Sequence, residues 1–178
     1  MSLVTTAGSA SADSYAALAD ADAYFSARGV TTWTGTDTVK ENALRRATTY
    51  LDNQYRNRWV GRRFAETQAL AWPRSDGEFP LYDVDCWQIS YTTLPVQVQH
   101  ATMEAALLVI TDVTLEPRLE RGGAIKSIGK RVGPLSKDIT YRDGASVVDR
   151  YIVIEGLLRG LVKSTPGASS GNVALVRA

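Results

Sequence analysis

The chain has 178 residues, 44% of them hydrophobic and 22% charged, a composition that supports one domain of ordinary size and excludes global disorder. Its 20 Lys and Arg against 19 Asp and Glu leave a net charge of +1, so any contact with nucleic-acid phosphates has to be local. Cys86 is the single cysteine and His100 the single histidine, which excludes an intrachain disulfide and a metal site built on several thiolates or imidazoles.

Residues 1–13 are small and polar, with Gly8, Ser9 and Ser11, and read as a flexible N-terminal arm without the basic and apolar regions of a signal peptide. Leu18, Ala21, Tyr24 and Phe25 predict a first helix that ends at Gly29, where a left-handed cap costs little. A second helix is expected from Thr38, which stands three residues before Glu41 in a capping-box spacing, with Val39, Ala43, Leu44, Ala47, Tyr50 and Leu51 as its apolar stripe. Residues 56–94 are interrupted by Gly61, Pro73, Gly77 and Pro80 and read as a connector with one helical turn around Ala65–Ala71.

Pro95 suits the start of a third helix, apolar almost all round from Ala101 to Val113, whose surfaces need either a core or another subunit to cover them. No stretch approaches the ~18 apolar residues of a membrane span. AIKSIGKRV and LSKDITY flank Gly133 and Pro134 and predict a projecting β-hairpin over about 124–141. A closing helix is expected from Ser146 to Leu161 on Val147, Tyr151, Ile154, Leu158 and Leu161, followed by a linker-like tail over 164–178. The fold class is therefore mainly α: a small helical bundle over 14–163 with a β-hairpin and extended terminal tails.

Chemistry is sparse. His100 lies four residues before Glu104, which permits a carboxylate-oriented general base but more often makes a polar pair at a helix edge. Asp20 with Asp22 and Asp83 with Asp85 lack the spacing and glycine of a calcium loop. Gly129 and Gly133 are not followed by Lys-Ser or Lys-Thr and build no phosphate cradle. Gly156 and Gly160 have the spacing of close helix contact but more commonly mark a fraying helix end. No catalytic residue, cofactor or metal is expected, and no enzyme.

The strongest charge feature is RNRWVGRR, in which Arg56, Arg58, Arg62 and Arg63 surround Trp59, with Trp72 and Arg74 close behind. Arginines beside aromatic rings suit single-stranded nucleic acid. The same tryptophans equally suit anchors that pack the connector onto the bundle, leaving the arginines in solvent.

SYAALADADAYFSARG (14–29), ALRRATTYLDNQY (43–55), WVGRR (59–63), QALAWPR (68–74), LPVQVQHATMEAAL (94–107), and RGGAIKS with VGPLSKDITY within 121–141 follow one another in an order that resembles the head-completion, or head-to-tail adaptor, proteins of long-tailed bacteriophages. Some members of that group carry the label DnaT-like single-stranded-DNA-binding protein. QALAWPR is the most specific of these segments, whereas residues 75–93 and the long C-terminal tail depart from the pattern. The resemblance implies a structural virion protein: a twelve-fold ring of this chain between the portal protein and the next neck or tail component, with genomic DNA passing through its lumen and no membrane partner. Under that reading Val173, Leu175 and Val176 are expected to dock on the portal, and Lys126, Lys130, Arg131 and Lys137 to face the DNA channel. The alternative is a single-stranded DNA-binding protein of phage replication that uses Arg56, Arg58, Trp59, Arg62, Arg63 and Trp72.

Overall fold

The computed structural model describes residues 2–77, 80–115, 125–131, 136–141 and 151–163. Among the described residues are four helices and three two-stranded antiparallel ladders, and the chain divides into two units, Met1–Leu115 with Val153–Ala178, and Glu116–Ile152. The architecture is the expected one, a small helical domain with a β-hairpin.

Helix α1, Leu18–Ala27, buries Ala21 and Phe25 and ends before Gly29, whose φ is +64°. Helix α2, Asp37–Tyr55, buries Ala43, Leu44, Ala47, Thr48, Tyr50, Leu51 and Tyr55, positions three and four apart that make one continuous face. Its cap is not Thr38: the Thr36 hydroxyl accepts from the Val39 amide at 3.4 Å, which sets the cap two residues earlier and starts the helix at Asp37. Helix α3, Val96–Ile110, follows Pro95 as its N-cap and packs extensively on α2 through Val98, Ala101, Thr102, Met103, Ala105 and Ala106. Alanines on both helices let the backbones approach closely, and each larger side chain buried there contributes roughly 1.5–3 kcal/mol.

The N-terminal arm is tied to this pair. The Val4 amide donates to Asp13 Oδ1 at 2.7 Å, and the Asp13 amide returns a bond to the Val4 carbonyl at 2.9 Å. Arg45 of α2 holds the other Asp13 oxygen at 2.6 Å, and Ala12 is buried. The expectation of a free lead-in fails because a carboxylate at position 13 closes the arm into a loop on α2.

The connector contains no helix around Ala65–Ala71. Strands β1 (Arg62–Arg63) and β2 (Arg74–Ser75) pair antiparallel, as do β3 (Leu81–Tyr82) and β4 (Gln88–Ile89). The hairpin of the second unit pairs β5 (Ile125–Arg131) with β6 (Ser136–Tyr141) in a register that sets Lys130 opposite Lys137 and Arg131 opposite Ser136. Helix α4 is Ile152–Leu157, ending short of the expected Leu161 as the chain turns at Gly160 with φ +85°, while the expected start over 146–150, with Val147, lies outside the described residues. Leu158 and Leu161 are buried outside it, and Trp59 forms a bridge with Val162.

Candidate nucleic-acid interface

QALAWPR forms a clip held from inside. The Gln68 amide nitrogen donates to the carbonyls of Leu70 and Pro73 at 2.8 and 3.1 Å, while its oxygen accepts from the Ala65 amide at 2.9 Å. Gln68 is thus buried with its polar atoms satisfied, as interior amides need to be. Arg74 directs its guanidinium into the backbone: Nε to the Val60 carbonyl at 2.7 Å, Nη1 to Ala71 at 3.1 Å and Nη2 to Gly61 at 2.6 Å. At Gly61 (φ +62°) a Cβ would lie 2.6 Å from the Ser75 carbonyl oxygen, so only glycine lets the two strands close.

Below the clip, the Tyr15 hydroxyl donates to Asp52 and accepts from the Trp72 amide at 3.2 Å, and the second Asp52 oxygen accepts from the Ala71 amide at 2.9 Å. Burial pushes the Tyr15 phenol well above its ordinary range, and the Asp52 carboxylate adds to the rise. Burial also raises Asp52, against the Tyr15 and Ala71 hydrogen bonds and the charges of Arg74 and Arg56.

The tryptophans belong to this interior. Trp59 and Trp72 are 2% and 1% exposed, with ring centroids 5.7 Å apart at 90°. This edge-to-face contact suits the ring quadrupoles, and neither indole N–H meets an acceptor among the described residues. A ring so enclosed offers no face to a nucleobase, so both are removed from the nucleic-acid patch that the sequence suggests.

The arginines of that patch separate. Arg58 turns toward the C-terminal side, where its Nε donates to the Lys163 carbonyl at 3.2 Å and its guanidinium lies over the Tyr55 ring. Arg56, Arg62 and Arg63 are exposed and converge on a cavity of about 500 Å³ that Asn53, Asn57 and Asp52 also line. Arg63 is steadied by the Gln68 carbonyl at 3.0 Å. Among the described residues no carboxylate lies within ion-pair distance of these three guanidiniums. The clip thus sets three outward cations on one concave wall, with amide side chains between them.

Two further features lie in the same connector. Phe64, next to Arg63, stacks on Tyr91 with centroids 5.1 Å apart at 29°, and the two residues are 50% and 48% exposed. Trp87, on the β3–β4 loop, is 75% exposed. Sequence reasoning missed these rings because they sit in a connector without periodicity. The available signal was the presence of Phe, Tyr and Trp in a polar, Gly- and Pro-broken stretch.

The other candidates do not assemble into chemistry. Glu104 accepts from the Tyr24 hydroxyl at 2.8 Å, and His100 lies against the Tyr24 ring. Burial and the Arg28 charge hold His100 below its ordinary pKa, while Glu104 opposes them. Burial, with Glu104, pushes the Tyr24 phenol up to about 12. Asp22 is taken by Lys40 at 2.8 Å and the Trp33 indole at 2.7 Å, and Asp83 Oδ1 caps the turn amides of Asp85 and Trp87. Among the described residues no group of three or more His, Cys, Asp or Glu side chains is placed to hold a metal, and no helix is long and apolar enough to cross a membrane. Lys126, Lys130, Arg131 and Lys137 lie on β5 and β6. Val173, Leu175 and Val176 lie outside the described residues.

Comparison with known proteins gives one family. No curated protein and no solved structure matches the chain. The model of the family described as "Putative DnaT-like ssDNA binding protein" matches residues 1–178. This match overturns the expected head-to-tail adaptor: it points to DNA binding, and nothing in it supports a virion connector with ring, portal and tail partners. With its whole length matched, the chain belongs to the DnaT-like ssDNA binding protein family.

Proposed function

We propose that this protein binds single-stranded DNA, with Arg56, Arg62 and Arg63 taking the phosphates. The observation that carries the reading is the convergence of three exposed guanidiniums, none paired to a carboxylate among the described residues, on one cavity of about 500 Å³. The family description supports DNA as the anion and a single strand as its form. A guanidinium suits the task because its planar donor fork matches phosphate oxygens. The net charge of +1 agrees with a local contact, since a few aligned cations suffice where the rest of the surface is balanced. On this reading the protein acts by binding; Glu104 accepts from the Tyr24 hydroxyl and His100 lies against the Tyr24 ring.

The test is a titration of a short labelled oligothymidylate with the full chain over a range of salt. Three phosphate contacts predict a log–log salt slope of about −2, from roughly −0.7 per neutralised phosphate on a single strand. A chain that leaves the oligonucleotide unbound at low salt contradicts the reading.

A further inference from the structure

We infer that Phe64 and Tyr91 form a base-stacking platform beside the arginine wall, so that the site takes an unpaired nucleobase together with its phosphate. This rests on the single-strand reading above and adds the part of the nucleotide that the arginines do not reach.

Four observations carry it. The two rings stack on each other, yet each residue keeps about half its surface in water, at 50% and 48%. Apolar ring surface left in water is a standing cost that a stacked base would relieve. Second, Phe64 directly follows Arg62 and Arg63, so the ring and the phosphate-binding cations ride on one stretch of backbone, fixed where the Phe64 amide donates to the Pro73 carbonyl at 3.2 Å. Third, Tyr91 walls a smaller cleft of about 160 Å³, with Pro80, Leu81 and Ile89 as its apolar side and Ser75 and Gln88 as polar groups within reach of a base edge. Fourth, the cleft and the arginine cavity adjoin. Arg74 lines both, and Arg62 lies against Gly77 at the cleft wall, where a Cβ would come within 2.1 Å of Nη2. A nucleotide whose phosphate meets Arg62 therefore has an aromatic surface and a slot of mixed apolar and polar lining on the next side of the same side chain.

The alternative for such a pair is a satellite of the core, which would affect stability and leave binding unchanged. The discriminating ligand is an abasic oligonucleotide of the same length, which keeps the phosphates and removes the rings. Wild-type protein is expected to bind oligothymidylate more tightly than the abasic strand by about 5- to 150-fold, the span of one stacked base. The F64A/Y91A variant should bind both strands alike, near the wild-type level for the abasic one, with an unchanged salt slope. The F64Y/Y91F variant, which keeps both rings, should retain the preference.

Equal wild-type affinity for the two strands, or a preference that survives F64A/Y91A, overturns the inference while leaving the arginine site standing. Failure of the wild type to bind either strand removes the single-strand reading, and the platform with it. Should F64A/Y91A not fold, photocrosslinking of wild-type protein to an iodouracil-containing strand decides: adducts on Phe64 or Tyr91 support the platform, and adducts only elsewhere overturn it.

Discussion

Arg74 and Arg62 stand on the two strands of one antiparallel ladder, Arg62 opposite Ser75 and Arg74 opposite Arg63, and line the same cavity, yet they do opposite work. Arg74, 8% exposed, spends its donors on three backbone carbonyls and holds the connector together. Arg62, exposed and without a carboxylate partner among the described residues, keeps its charge turned to solvent. The tryptophans and aromatics divide the same way: Trp59 and Trp72 are enclosed, while Phe64 and Tyr91 are half open. Residue type alone does not mark a binding surface. What marks it is whether the polar donors and ring faces have already been used by the fold.

This division can be broken from the inside first. Trp72→Ala empties the centre of the clip and should cost about 3–5 kcal/mol in urea or thermal unfolding, as for other enclosed large side chains. Arg74→Lys keeps a positive charge but loses the planar fork, so carbonyls of Val60, Gly61 and Ala71 go unpaired. The expected loss is about 1–3 kcal/mol in the same assay. DNA affinity of the Arg74→Lys protein that remains folded should stay close to wild type, and a selective loss of affinity at full stability would reverse the assignment.

The smallest effect is a pH dependence away from the site. Because His100 is held below its ordinary value of 6.5, mainly by burial and then by Arg28, the unfolded chain binds a proton that the folded chain does not. Its contribution to stability is therefore fully present above about pH 6.5 and falls as the pH drops through that value toward the folded pKa. Asp22 acts in a lower window: burial raises it, but the hydrogen bonds from Lys40 and Trp33 win, so its contribution is lost below the ordinary carboxylate range. Replacing His100 by Gln should flatten unfolding midpoints measured between neutral pH and pH 5, and an unaltered profile would discount the role of His100.

Much of the helical frame was legible because helices announce themselves by period. The stripe of Ala43, Leu44, Ala47 and Leu51 predicts the buried face of α2, and Pro95 predicts the start of α3. The cap of α2 was misplaced because Thr36 and Thr38 both precede an apolar residue at suitable spacing, and only geometry decides which hydroxyl reaches an amide. Residues 56–94 were not legible, since their order comes from long-range hydrogen bonds among Tyr15, Asp52, Gln68 and Arg74 that leave no periodic trace. In the site, the arginine cluster was visible, but its sorting into inward Arg74, lateral Arg58 and outward Arg56, Arg62 and Arg63 was not. Phe64 and Tyr91 meet only because the connector folds back on itself.

The central claim is that the three outward arginines are the DNA contact and are not needed by the fold. It is tested most directly by measuring, on one preparation of the R56A/R62A/R63A variant, the urea midpoint and the affinity for oligothymidylate. Exposed side chains of this kind change stability by no more than about 0.5 kcal/mol each, so the midpoint should stay near wild type. Binding should be lost at moderate salt, and any residual binding at low salt should have a slope close to zero in place of about −2. Wild-type affinity and slope in a folded triple variant would contradict the account.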